Sequence, residues 1–144
     1  MTPRFDAIGL VVSDLAASVA FYRRLGFDFP EGAADQPHAE AELPGGLRLL
    51  LDTEDTVRSF HPGWRTPTGS GRAALALRCA SPQEVDSVYE ELTDHEELTG
   101  KASETGYHGE LKPWDAFWGQ RYAVVHDPDG NAVDLFAPLL PEPE

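Results

Sequence analysis

The side chains that could do chemistry in this sequence fall into a few short stretches. His38-Ala39-Glu40 puts an imidazole and a carboxylate two residues apart, so both share one face of an extended strand. Arg48, Leu50 and Asp52 repeat that spacing, and Asp134 stands two residues before Phe136 near the C-terminus. Imidazole and carboxylate together can ligate a divalent ion; on an exposed strand they can equally serve as surface polarity or hydrogen-bond a ligand. A further stretch is aromatic. Trp114, Phe117 and Trp118 lie between Pro113 and Gly119, and Phe60 and Trp64 lie farther upstream. Such rings stack on planar ligands, although a tryptophan is also a common packing residue.

Covalent chemistry finds no support. Cys79 falls on an apolar face with Leu75 and Leu77, as an inert core thiol does. His61, His95, His108 and His126 are isolated along the chain. No glycine-rich phosphate loop, nucleophile elbow or paired-carboxylate motif is present, so no catalytic residue is assigned.

The elements that must hold these groups follow from periodicity. Phe5 to Val12 alternates as a strand, with Ile8, Leu10 and Val12 on one face and Ala7 and Gly9 on the other. Ser13 or Asp14 caps a helix from Leu15 to about Leu25, striped by Leu15, Val19, Tyr22 and Leu25 and stopped by Gly26. The pattern returns 67 residues later: Ala73, Leu75, Leu77 and Cys79 alternate, Ser81-Pro82 opens a helix, and Val85, Val88, Tyr89 and Leu92 form its stripe. Each helix leads into extended segments with turns, Pro44-Gly45-Gly46 in the first half and Asp127-Pro128-Asp129-Gly130 in the second. Each half therefore reads as βαβββ. A polar surface loop or frayed helix end is expected over Thr93–Gly106 and a disordered tail at PEPE.

A chain of 144 residues suits one domain, here two modules of about 1–66 and 67–140. The net charge of −14 argues against a nucleic-acid partner. Apolar runs as short as Leu49-Leu50-Leu51 argue against a membrane span. MTPRFDAIGL has no signal-peptide core, and a single cysteine allows no internal disulfide, so a cytoplasmic location is expected.

VSDLAASVAFYRRLGF after the first strand, and DPDGNAVDLF near the end, resemble the two signature regions of the glyoxalase/bleomycin resistance/dioxygenase (vicinal oxygen chelate) superfamily. DTEDTVRSFHPGWRTPTG and ELKPWDAFWGQRYAVVHDPDGNAVDLFAPL are similar to its mitomycin-binding resistance branch. The resemblance implies an α+β fold, two βαβββ modules forming a curled mixed-sheet cup, in a homodimer. It implies four metal-ligand positions, which read Ala7, Leu50, Ala74 and Asp134 here. One carboxylate among three side chains without lone pairs holds no catalytic ion, so no metal or other cofactor is expected. Asp134 is then a ligand or arginine partner, or a remnant of an ancestral metal site.

The expected function is metal-free binding and sequestration of a planar, hydrophobic antibiotic, mitomycin-like or another quinone natural product. The candidate ligand-binding residues are His38, Glu40, Arg48, Leu50, Asp52, Phe60, Trp64, Trp114, Trp118 and Asp134. The alternative is an enzyme of the same superfamily, either metal-dependent or converting a bound quinone without a cofactor.

Overall fold

In a computed structural model of the chain, residues 2–67, 72–99 and 107–140 are described, the side chains of 94–99 excepted. The chain forms two compact units, Met1–Gly69 and Ser70–Glu144.

The first unit begins with β1 (Ala7–Val12), then α1 (Leu15–Arg24), β2 (His38–Glu42) and β3 (Arg48–Thr53). Asp14 caps α1, its carboxylate accepting the amide N–H of Ala17. Tyr22 and Leu25 lie on the stripe read from the sequence, and Gly26 stops the helix at φ 92°. The sheet runs β1-β3-β2, with β1 parallel and β2 antiparallel to β3. Leu49 and Leu51 of β3 and Ala39 and Ala41 of β2 are buried, as are Val19, Phe21 and Tyr22 of α1, which packs on both strands. A fully buried leucine or phenylalanine contributes about 1.5–3 kcal/mol, so this face supplies most of the unit's stability.

Two features differ from the sequence reading. The βαβββ reading calls for three strands after α1, and only two form, β2 and β3; the segment before β2 carries a short 3-10 turn over Ala33–Asp35. Gly32 at φ 81° and Pro30 in this segment break extended pairing. Beyond β3 a helix, α2 (Glu54–Phe60), starts at Thr53, whose hydroxyl caps the N–H of Thr56.

The second unit is β4 (Ala74–Arg78), α3 (Pro82–Thr99), β5 (Gly109–Ala116), β6 (Gln120–His126) and β7 (Ala132–Pro138). Its sheet runs β4-β7-β6-β5, again with one parallel pair, β4 with β7. Ser81 Oγ accepts the Glu84 N–H, and Glu84 reaches back to the Ala80 N–H. The helix continues through Thr99, into the stretch read as a surface loop or frayed helix end; residues 100–106 of that stretch, and the expected PEPE tail, lie outside the described residues. Val133, Leu135, Ala123 and Val125 are buried beneath α3. The turn between β6 and β7 is built by buried Asp127, whose carboxylate accepts the N–H groups of Asp129 and Asn131.

The units are thus both α+β with mixed sheets. Gly9 pairs with Leu50 in one and Ala76 with Asp134 in the other, so Leu50 and Asp134 hold the same register position. No described helix is long and apolar enough to cross a membrane.

Candidate functional site

The face of the second sheet opposite α3 carries a cluster of rings. Tyr122 on β6 pairs with Trp114 on β5 and with Phe136 on β7, which sets three aromatic side chains side by side across the sheet. Trp118, in the tight turn that ends at Gly119 (φ 89°), folds back over them. Its ring lies 5.3 Å from Tyr122 and 6.0 Å from Trp114, edge to face in both cases. Tyr122 stacks on Phe136 at 6.3 Å with planes 24° apart. Trp118 Nε1 donates to Gln120 Oε1 at 2.8 Å, which fixes the indole while leaving it 48% exposed. These rings form a partly exposed aromatic shelf.

Asp134 borders the shelf. Its Oδ2 accepts a hydrogen bond from the Tyr122 hydroxyl, and no described residue bonds Oδ1. Burial, and then the Asp134 carboxylate beside it, push the Tyr122 hydroxyl up to about 12, so it remains a neutral donor. The sequence reading found Trp114, Trp118 and Asp134 and placed Phe136 in the same row. It placed the tryptophans in a rim segment, whereas Trp114 belongs to β5. It missed Tyr122, whose two-residue spacing to the apolar Val124 shows that it shares the face of Asp134.

The first unit presents a polar row on the face opposite α1. The register pairs His38 with Asp52, Glu40 with Leu50, and Glu42 with Arg48. His38 Nδ1 meets Asp52 Oδ1 at 2.5 Å, and Nε2 lies 3.5 Å from Glu40 Oε2. The Asp52 hydrogen bond is the main reason that the His38 pKa is raised, against a smaller effect of burial. Arg48 bridges Glu40 and Asp6. Beside this row, Pro30, Gly32, Gln36, His38 and Glu40 line a depression of about 360 Å³. Leu50 is half-buried in the middle of the row.

Phe60 is the last residue of α2 and 70% exposed, while Trp64 lies in the following loop under the Arg58 guanidinium at 5.2 Å. Cys79 is buried, and its thiol is pushed up to about 11 by burial and by Glu84, which suits a packing residue. His108 and His126 are not isolated: their rings lie 5.0 Å apart.

The residues present do not fit the superfamily's divalent ion. Ala7, Leu50 and Ala74 carry no donor atom, and Asp134 already accepts a hydrogen bond from Tyr122. Nor does the His38 row supply a substitute. Its two carboxylates sit on opposite ring nitrogens of His38, and Glu40 is paired with Arg48. As the side chains stand, no group of three His, Cys, Asp or Glu residues among the described residues is arranged to hold a metal.

Similar proteins agree on the fold. The sequence profile of the glyoxalase/bleomycin resistance protein/dioxygenase superfamily matches residues 4–135. A solved glyoxalase/bleomycin resistance protein/dioxygenase from Nocardioides is 28% identical, covers 99% of this chain and 87% of its own, and superposes with a TM-score of 0.67. A family enzyme from Burkholderia phytofirmans, at 15% identity, covers 95% and 100% of the two chains with a TM-score of 0.73. A glyoxalase-related enzyme from Fulvimarina pelagi, at 20% identity, covers 94% and 88% with a TM-score of 0.70. No curated protein matches the chain. The chain belongs to the glyoxalase/bleomycin resistance protein/dioxygenase superfamily.

Proposed function

We propose that this protein binds and sequesters a planar, hydrophobic small molecule, a mitomycin-like or other quinone natural product, and releases it unaltered. The observation that carries this reading is the shelf of Trp114, Trp118, Tyr122 and Phe136 beside the Asp134 carboxylate. Stacking on such rings contributes about 0.5–1.5 kcal/mol per pair beyond area burial, and a carboxylate at the edge orients a ligand N–H or O–H. The likeness of 43–139 to the mitomycin-binding branch supports the same ligand class. His38, Glu40, Arg48, Leu50, Asp52, Phe60 and Trp64 stand as further candidate contacts on the first unit. Sequestration of this kind confers drug resistance without a catalytic residue or a cofactor.

We place the protein in the cytoplasm as a homodimer. Phe5, Phe60, Phe117 and Leu140 are 66%, 70%, 97% and 80% exposed in the single chain, and a second copy would cover some of these side chains.

The test is incubation with mitomycin-type quinones in the presence and absence of chelator. The melting temperature should rise with ligand, since a ligand bound only to the folded state stabilises it, and the drug should be recovered unchanged. Turnover of the drug would assign an enzyme instead.

A further inference from the structure

At the end of β5 and β6 away from the Trp118 turn, a second set of donors comes together that sequence spacing does not reveal. The His126 N–H donates to the His108 carbonyl at 2.8 Å, so these two residues face each other directly across the ladder. Their rings lie 5.0 Å apart with planes at 60°. Glu110 Oε1 stands 3.1 Å from His126 Nε2.

The backbone enforces this grouping. Gly109, between His108 and Glu110, faces α3 so closely that a methyl group there would overlap the Tyr89 hydroxyl and ring. Neighbours along a strand point to opposite faces, so His108 projects away from the helix; a bulge follows Gly109, and the contact with His126 Nε2 puts Glu110 on that same side. Val125 is fully buried, so His126 projects the same way.

The spacing suits a cation. Zinc–nitrogen bonds of about 2.0–2.1 Å at a tetrahedral angle place two imidazole ring centres roughly 5 Å apart, and a nitrogen and an oxygen ligand roughly 3.3 Å apart. The observed separations are 5.0 Å and 3.1 Å. His126 and Glu110 already share the hydrogen bond that an ion would replace. The donors do not converge as they stand, and convergence requires a turn of the exposed His108 ring. A net charge of −14 favours capture of a cation.

The geometry points to a divalent transition-metal site formed by His108, Glu110 and His126. Two imidazoles and one carboxylate select Zn²⁺, Ni²⁺ or Cu²⁺ over Mg²⁺ and Ca²⁺. The site shares no residue with Ala7, Leu50, Ala74 and Asp134, and none with the aromatic shelf. An ion here would staple β5 to β6, the two strands that carry Trp114 and Tyr122.

The experiment is calorimetric titration of ZnCl₂, NiCl₂ and MgCl₂ into tag-free, chelator-treated, full-length protein. One equivalent of Zn²⁺ or Ni²⁺ is expected to bind and Mg²⁺ is not. His108→Ala and His126→Gln should each weaken Zn²⁺ by at least roughly tenfold, the loss that even outer-shell changes cause. His61→Ala should change nothing. Zn²⁺ should raise the melting temperature of the parent protein but not of His108→Ala, and should shift the side-chain nitrogen resonances of His108 and His126. Failure of both Zn²⁺ and Ni²⁺ to bind overturns the proposal. So does binding that survives both His108→Ala and His126→Gln, or that disappears in His38→Ala instead.

Discussion

The Tyr122 hydroxyl on β6 hydrogen-bonds the Asp134 carboxylate on β7, one step diagonally across the ladder from its register partner Phe136. The same side chain thus stacks on Phe136, meets both tryptophans and holds one oxygen of Asp134. Nearly everything proposed for the shelf passes through this one residue.

Spectrophotometric titration should therefore show a tyrosine that resists ionisation. Tyr122 is one of four tyrosines, and its hydroxyl is held near 12, above the ordinary value of about 10. A raised value means that the folded protein keeps a proton that the unfolded chain gives up. Its contribution to stability is whole below pH 10 and fades as pH climbs toward 12. Tyr122→Phe should remove this late phenolate step; if the late step persists, it belongs to another tyrosine.

The polar row of the first unit predicts a second pH effect. His38 is raised, chiefly by the Asp52 hydrogen bond and also by the charges of Asp52 and Glu40, with Arg48 tied to Glu40 nearby. The associated stability is present below about pH 6.5 and is lost as pH rises through the folded-state value. More than a third of the His38 side chain is exposed, so the effect stays within about 1 kcal/mol. Chemical denaturation from pH 5.5 to 8.5 should show it in the parent protein and a flatter profile in His38→Gln. Equal slopes in both would remove His38 as the cause.

Gly109→Ala should destabilise by about 1–3 kcal/mol, as overpacking does, because the new methyl overlaps Tyr89. Tyr89→Phe in the same chain should recover part of that loss by removing the nearest atom, the hydroxyl. Urea midpoints of the single and double variants decide this; an unaffected Gly109→Ala would mean that α3 and β5 pack less closely.

Sedimentation at micromolar concentration should give a dimer mass. A monomer under those conditions would show that the exposed rings of Phe60 and Phe117 serve something other than self-association.

Much of the fold is legible in the sequence, because the duplicated alternation fixes which faces are buried. Ile8 and Leu75 lead equivalent strands, Tyr22 and Tyr89 lie buried on equivalent helices, and Asp14 and Ser81 cap them. The first unit has one strand fewer after α1 than the βαβββ reading requires, because that count came from matching the two halves and not from an alternating segment of its own. The site is legible only by halves. Single residues such as Trp114, Trp118 and Asp134 stand out by type, but their meeting at Tyr122 depends on the β5–β6 register, which two β-bulges shift. The same register brings His108 to His126, two histidines that look isolated along the chain.

If the shelf seats the ligand, its tryptophans carry affinity more than stability. Trp114 is half-buried and Trp118 is 48% exposed, so truncating either should cost less stability than the roughly 3–5 kcal/mol of a core tryptophan. Losing a stacking partner should cost about 1 kcal/mol or more of affinity, roughly fivefold or greater. The deciding measurement is fluorescence titration of a mitomycin-type quinone into the parent protein, Trp114→Ala and Trp118→Ala, paired with denaturation of each. Quenching is expected in the parent and weakened binding in both variants, with folding largely preserved. Variants that bind as tightly as the parent, whatever their stability, would contradict it.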